Sequence, residues 1–95
     1  MSMIDSFKCK FTEEMWKQGK SKRFPASIHR VILRKLVMLD SAAELTDLQS
    51  PPGDRLEALK GNRKGQQSIR INDQWRICFR WSNGLVEDVE IIDYH

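Results

Sequence analysis

An α+β fold is predicted from three features of the chain. The first half carries apolar residues at three- and four-residue spacing, the second half alternates apolar with polar, and Ser50-Pro51-Pro52-Gly53 breaks any helix between them. Ile28, Ile32, Leu36, Leu39 and Ala43 make the helical stripe. Trp75, Ile77, Phe79 and Trp81 alternate with Arg76, Cys78 and Arg80, as in a strand with one side against a core. The expected architecture is an N-terminal strand followed by a two-helix antiparallel hairpin packed on a C-terminal antiparallel sheet. With 95 residues, the chain has room for one hydrophobic core and is expected to form a single domain over residues 1–95.

The elements follow in order. Ile4 to Lys10 is short and mixed and reads as the first strand. Thr12 then supplies an oxygen cap, with Glu13 and Glu14 in the first turn to complement the helix dipole, and this helix should run to about Gly19. The second helix begins after Pro25 with Ser27 close behind, its Arg30, Arg34 and Lys35 lying off the apolar stripe. Gly19 and Pro25 bracket a short connection, which makes the two helices a hairpin in need of a second apolar surface. Gln67 to Ile71 alternates Ser68 and Arg70 against Ile69 and Ile71, and Asn72-Asp73 turns it into the strand of Trp75 to Trp81. Ser82-Asn83-Gly84 marks the next turn, and Val86 to Tyr94 forms the last strand.

A net charge of +3 and a pI near 9.1 are modest, so the distribution carries the information. Bases outnumber acids between Arg55 and Arg80, Lys17 to Lys35 holds no acid, and the stretch from Glu87 reverses sign. Such a division suits a polyanion approached by one face. Cys9 and Cys78 have no metal-site spacing around them and read as free thiols of a reducing compartment, so neither a metal nor another cofactor is expected. No apolar run approaches membrane-helix length and no signal peptide is visible, which points to a cytoplasmic protein without a membrane partner.

Chemistry-bearing residues gather at the chain's end and in its basic half. Asp93, Tyr94 and His95 directly follow an apolar strand, and an imidazole is the side chain whose ordinary titration range suits proton transfer near neutrality. Arg70, Arg76 and Arg80 share the strand parity that points away from the Trp/Ile/Phe stripe, where they would line an open, cationic sheet face. Lys60, Arg63 and Lys64 surround Gly61 and precede Gly65, a loop able to bring cations and backbone N–H groups to a phosphate. His29 reads as a surface or groove residue, and Trp75 and Trp81 as core.

Three stretches together carry a family resemblance: Arg55 to Gly65 with Leu59-Lys60-Gly61-Asn62-Arg63, Ser68 to Ile77 with Asn72-Asp73-Gln74-Trp75-Arg76, and the closing Glu90-Ile91-Ile92-Asp93-Tyr94-His95. They closely resemble the HigB killer proteins of the RelE-like superfamily of type II toxin-antitoxin toxins. The likeness covers nearly the whole chain, including Ile4-Asp5-Ser6-Phe7-Lys8. It implies a metal-independent endoribonuclease acting on mRNA in the ribosomal A site, held inactive by a HigA-like helix-turn-helix antitoxin. It also implies roles: Asp93, Tyr94 and His95 match the catalytic triplet, Lys60 the lysine before the loop glycine, and Arg76 the arginine of the Trp-Arg strand. Glu57 departs from the pattern, standing where some HigB toxins have a catalytic histidine.

The implied reaction is attack of a ribose 2′-OH on the adjacent phosphate. His95 would move a proton, Asp93 would orient it or share the work, and Tyr94 would position a base. Lys60 and Arg76 would stabilise the phosphorane, with Arg70 assisting, while Arg63, Lys64 and Arg80 would bind flanking phosphates. A non-catalytic nucleic-acid-binding or regulatory module using the same basic face is the competing reading, and a protein-interaction domain is a third.

Overall fold

The structure is a computed structural model that describes residues 3–49 and 55–93. Among the described residues, five strands form one sheet in the order β1-β5-β4-β3-β2, where β1 is Met3–Ile4, β2 Glu57–Ala58, β3 Gln67–Arg70, β4 Trp75–Ser82 and β5 Leu85–Asp93. Two helices, α1 at Lys10–Gln18 and α2 at His29–Ser41, pack on one face of this sheet. The α+β layering is as expected from the periodicities. The break at Pro51-Pro52-Gly53 lies outside the described residues.

The sheet is mixed rather than wholly antiparallel. β1 runs parallel to β5, with Met3 opposite Leu85 and Ile4 opposite Val86, while every other pairing is antiparallel. The first strand is also shorter than Ile4 to Lys10. Phe7 makes only an isolated bridge to Val89, because the chain turns into α1 at Lys10.

Thr12 does not cap α1. The helix starts three residues earlier, with Cys9 at its N-cap and no side-chain capping bond, and Thr12 is fully buried inside the first turn. Its hydroxyl instead accepts the Ile91 N–H at 3.0 Å. The reason lies in the sheet: the β5 edge that faces β1 outruns its short partner. Ser6 O takes the Val89 N–H at 3.1 Å, and beyond that point Thr12 supplies the missing acceptor. The C-terminal expectation holds: Gly19 closes α1 at φ 79°, its N–H donating to Met15 O.

A 3-10 turn over Ala26–Ile28 leads into α2, and Ile28, Ile32, Leu36 and Leu39 are buried against Ile69, Ile77, Phe79, Val86 and Val89 of the sheet. Fully burying a side chain such as Phe79 contributes roughly 1.5–3 kcal/mol. Ala43 leaves the stripe. The helix ends at Ser41, so Ala42 turns inward and Ala43 outward. Lys35 is also buried, at 5% exposure, since it falls three residues after Ile32 and four before Leu39 and so flanks the apolar stripe. Trp75 and Trp81 pack against the core, and Trp75 meets Phe24 edge to face at 5.5 Å.

Two turns set the register of the C-terminal sheet. Asn72 Oδ1 accepts the N–H groups of Gln74 and Trp75 and reverses the chain between β3 and β4. Asn83 and Gly84 both have positive φ, 51° and 83°, as a two-residue hairpin that follows the strand twist requires. The register places Arg76 opposite Arg70 on one side and Ile92 on the other.

Candidate active site

The face of the sheet opposite the helices carries Ser68, Arg70, Arg76, Cys78, Arg80 and Glu90 by strand parity. It is not the open cationic face that alternation alone suggests. Ser68 and Cys78 are buried at 0% and 1% exposure and Arg76 at 8%. Loop residues from Arg55 to Gln66 reach them, with Arg55 bonded to Arg76 and Arg63 to Glu90. Alternation says which side of a strand a residue occupies, but not whether a distant loop lies over that side.

A cleft of about 700 Å³ opens beside this loop, lined by Glu57, Ala58, Leu59, Lys60 and Arg63 from β2 and the loop, and by Ile92 and Asp93 from the end of β5. It unites two of the regions that the sequence marked out, the basic loop and the start of the terminal triplet. Tyr94 and His95 lie outside the described residues. Lys60 is exposed and makes no ion pair among the described residues. Arg63 Nη1 donates to Glu90 Oε1 at 3.0 Å and to Gln66 Oε1 at 3.2 Å. Asp93 Oδ2 accepts from the Gln74 side-chain amide at 3.1 Å, a contact that follows from the pairing of Trp75 with Asp93.

Arg76 is buried and does not line the cleft. Its Nε donates to Ser68 Oγ at 2.9 Å, and its Nη2 donates to the backbone carbonyls of Arg55 at 2.7 Å and Ser68 at 3.4 Å. Arg55 has φ 45°, a left-handed conformation uncommon for a residue with a side chain, and the guanidinium holds its carbonyl at the entry to β2. The other two arginines on this face of the sheet are engaged in ion pairs. Arg70 pairs with Asp73, and Arg80 Nε lies 3.4 Å from Asp88 Oδ2, where β5 bulges at Asp88 with φ 53°. Lys64, Arg70 and Arg80 do not line the cleft.

Gly65 takes a left-handed backbone conformation that a side chain would strain. Its φ is 93°, and a Cβ there would stand 2.8 Å from Arg80 Nη1. Among the described residues, no group of three His, Cys, Asp or Glu side chains is placed to hold a metal, and no helix is long and apolar enough to cross a membrane. Burial pushes the Cys78 thiol above its ordinary pKa, with the Arg63 charge opposing that shift. Ser68, Gln74 and Glu90 were not singled out by sequence reasoning. Only Gln74 left a signal, since the Asn72-Asp73 turn brings it level with the end of the last strand.

The family model for the RelE-like HigB toxins of type II toxin-antitoxin systems matches residues 5–95. This chain belongs to the HigB-like toxin family. Among HigB relatives, Toxin HigB-1 of Vibrio cholerae is 45% identical over 84 residues, covering 87% of this chain and 88% of its own. Endoribonuclease HigB of Proteus vulgaris is 34% identical over 93 residues, covering 98% of this chain and all of its own. In solved structures the HigB-like chain shares its fold with a YafQ mutant from E. coli, at TM-score 0.63 and 14% identity over 96% of this chain and 93% of that one. It also shares its fold with the YoeB-YefM complex from Staphylococcus aureus, at TM-score 0.57 and 18% identity over 99% of each chain. Membership of a type II toxin-antitoxin family gives this HigB-like toxin an antitoxin as partner.

Proposed function

We propose that this HigB-like toxin is a metal-independent endoribonuclease that cuts mRNA in the ribosomal A site of the cytoplasm and is restrained by a HigA-like helix-turn-helix antitoxin. The observation that carries the reading is the cleft itself, where Lys60 and the loop residue Arg63 line the same walls as Asp93 at the end of β5. Cations opposite a proton-handling group are what 2′-OH attack on a phosphodiester requires.

Lys60 and Arg63 stabilise the negative charge that builds on the phosphorane oxygens. Asp93, held by the Gln74 amide, works with His95 in moving the protons of the 2′-OH and the 5′-oxygen, and Tyr94 positions a base. Arg76 acts indirectly, by holding the Arg55 carbonyl two residues ahead of the cleft residue Glu57. Glu57, in the cleft near Lys60, is the second acid/base candidate. Lys64, Arg70 and Arg80 hold flanking phosphates around the rim. Shape and splaying of the mRNA come from the ribosome, because so small a cleft offers few orienting contacts of its own.

The test adds the purified protein to a defined mRNA on translating ribosomes and on naked RNA, with and without a transition-metal chelator that spares magnesium. Expected are 2′,3′-cyclic phosphate ends within codons, only on translating ribosomes and unaffected by the chelator. Salt-sensitive RNA binding with no new ends under any condition would make the protein a binding module instead.

A further inference from the structure

We infer that Glu90 is a positioning residue of the cleft, which locks the Arg63 guanidinium in place and mutes its charge toward RNA. The inference rests on the ribonuclease reading above and extends it to a residue with no role in that scheme.

Glu90 stands in the middle of β5, directly opposite Cys78 of β4, on a part of the sheet that pairing holds rigid. Arg63 ends the 3-10 turn Gly61–Arg63, in a loop that contains Gly61 at φ 64° and Gly65 at φ 93°. Backbone bonds from Arg63 N–H to Lys60 O, Lys64 N–H to Gly61 O and Gln66 N–H to Arg63 O shape the loop backbone, but none of them fixes the direction of the long Arg63 side chain. Leu59 N–H donates to Gln66 O at 2.9 Å and closes the loop on itself, but does not attach it to β5. The Arg63–Glu90 contact makes that attachment, at 3.0 Å, with Gln66 Oε1 as the second acceptor at 3.2 Å.

The charge is as informative as the distance. A carboxylate on a face that receives phosphates repels the ligand unless a cation is committed to it. Glu90 is 21% exposed in its side chain and Arg63 36%, so the pair is partly shielded from water while Arg63 still lines the cleft. Glu90 therefore has two separable effects. As an acceptor it fixes the direction of Arg63, and as an anion it lowers the net positive charge that RNA meets.

Glu90→Gln and Glu90→Ala separate them. Binding is read with a single-stranded RNA oligonucleotide carrying a 2′-deoxy residue at the scissile position, over a range of salt. Turnover is read on translating ribosomes. Glu90→Gln keeps an acceptor and removes the charge, so it should bind RNA more tightly, with a salt slope steeper by about one phosphate contact. Glu90→Ala should lower turnover roughly tenfold, the scale of one charge-assisted hydrogen bond, with Gln restoring most of the loss. In an Arg63→Ala background the Ala change at position 90 should cause no further loss of turnover, because the part of that loss that runs through Arg63 is already gone, while its effect on charge should still tighten RNA binding.

Equal losses in the Gln and Ala variants that track their melting temperatures would overturn the inference, as would full additivity with Arg63→Ala. Absence of cleavage by the unaltered protein would sink the ribonuclease reading instead. The oligonucleotide arm would still report whether Glu90 and Arg63 are coupled.

Discussion

Arg76 and Ser68 form a buried pair across β3 and β4, with Arg76 Nε donating to Ser68 Oγ at 2.9 Å. The same guanidinium reaches the Arg55 carbonyl at 2.7 Å, so one side chain links two neighbouring strands to the segment that opens the cleft. Strand parity alone placed Arg76 on a solvent-facing side, yet it is a packed, fully engaged cation.

Arg76→Ala should therefore reduce stability and activity together. Loss of the guanidinium leaves Ser68 Oγ and the Arg55 carbonyl without their donor, a cost of about 2–3 kcal/mol in urea unfolding. Arg76→Lys should recover little of it, because an ammonium cannot reproduce the planar fork that reaches both acceptors. A variant with wild-type stability and lost cleavage would mean that Arg76 acts on the phosphate directly.

Lys60→Ala should behave in the opposite way. Its side chain is exposed and makes no ion pair among the described residues, so stability should change by less than about 0.5 kcal/mol. Turnover on translating ribosomes should fall by roughly a hundredfold, as for removal of an oxyanion-stabilising group. Matching thermal melts combined with cleavage assays would check both halves.

Thr12→Val should destabilise the fold by about 1–3 kcal/mol although the two side chains are nearly the same size. The Ile91 N–H is inside the protein and would lose its acceptor. Urea titration would measure this, and a change under 0.5 kcal/mol, the usual size for an inconsequential surface change, would show that the bond contributes nothing.

Cys78 should be inert to a thiol reagent in the native protein while half-buried Cys9 reacts, with both reacting in denaturant. Its pKa is raised by burial in the folded state, so the folded protein keeps the proton that the unfolded chain releases. The resulting stability is fully present below the thiol's unfolded pKa and is lost as pH rises through and beyond it. Cys78→Ala should flatten that alkaline decline, measured as unfolding free energy between neutral pH and pH about 10.

Layer order, helix faces and turns were legible in the amino-acid sequence because each depends on residues close together in the chain. The stripe from Ile28 to Leu39 specified a buried helix face, and Asn72-Asp73 and Asn83-Gly84 specified where strands reverse. The basic loop around Lys60 and the acid at Asp93 were legible as chemistry for a similar reason, since residue type and motif order are written in the chain itself. Their meeting in one cleft was expected from the family resemblance, not from spacing. Not legible were the Thr12 hydroxyl's service to Ile91, the parallel pairing of β1 with β5, the burial of Arg76 under the loop, and the tie from Arg63 to Glu90. Each of these joins residues far apart in sequence, and spacing along a chain carries no record of which distant backbone lies overhead. Packing made that choice, satisfying buried N–H and guanidinium groups with whatever acceptors the assembled sheet brought within reach.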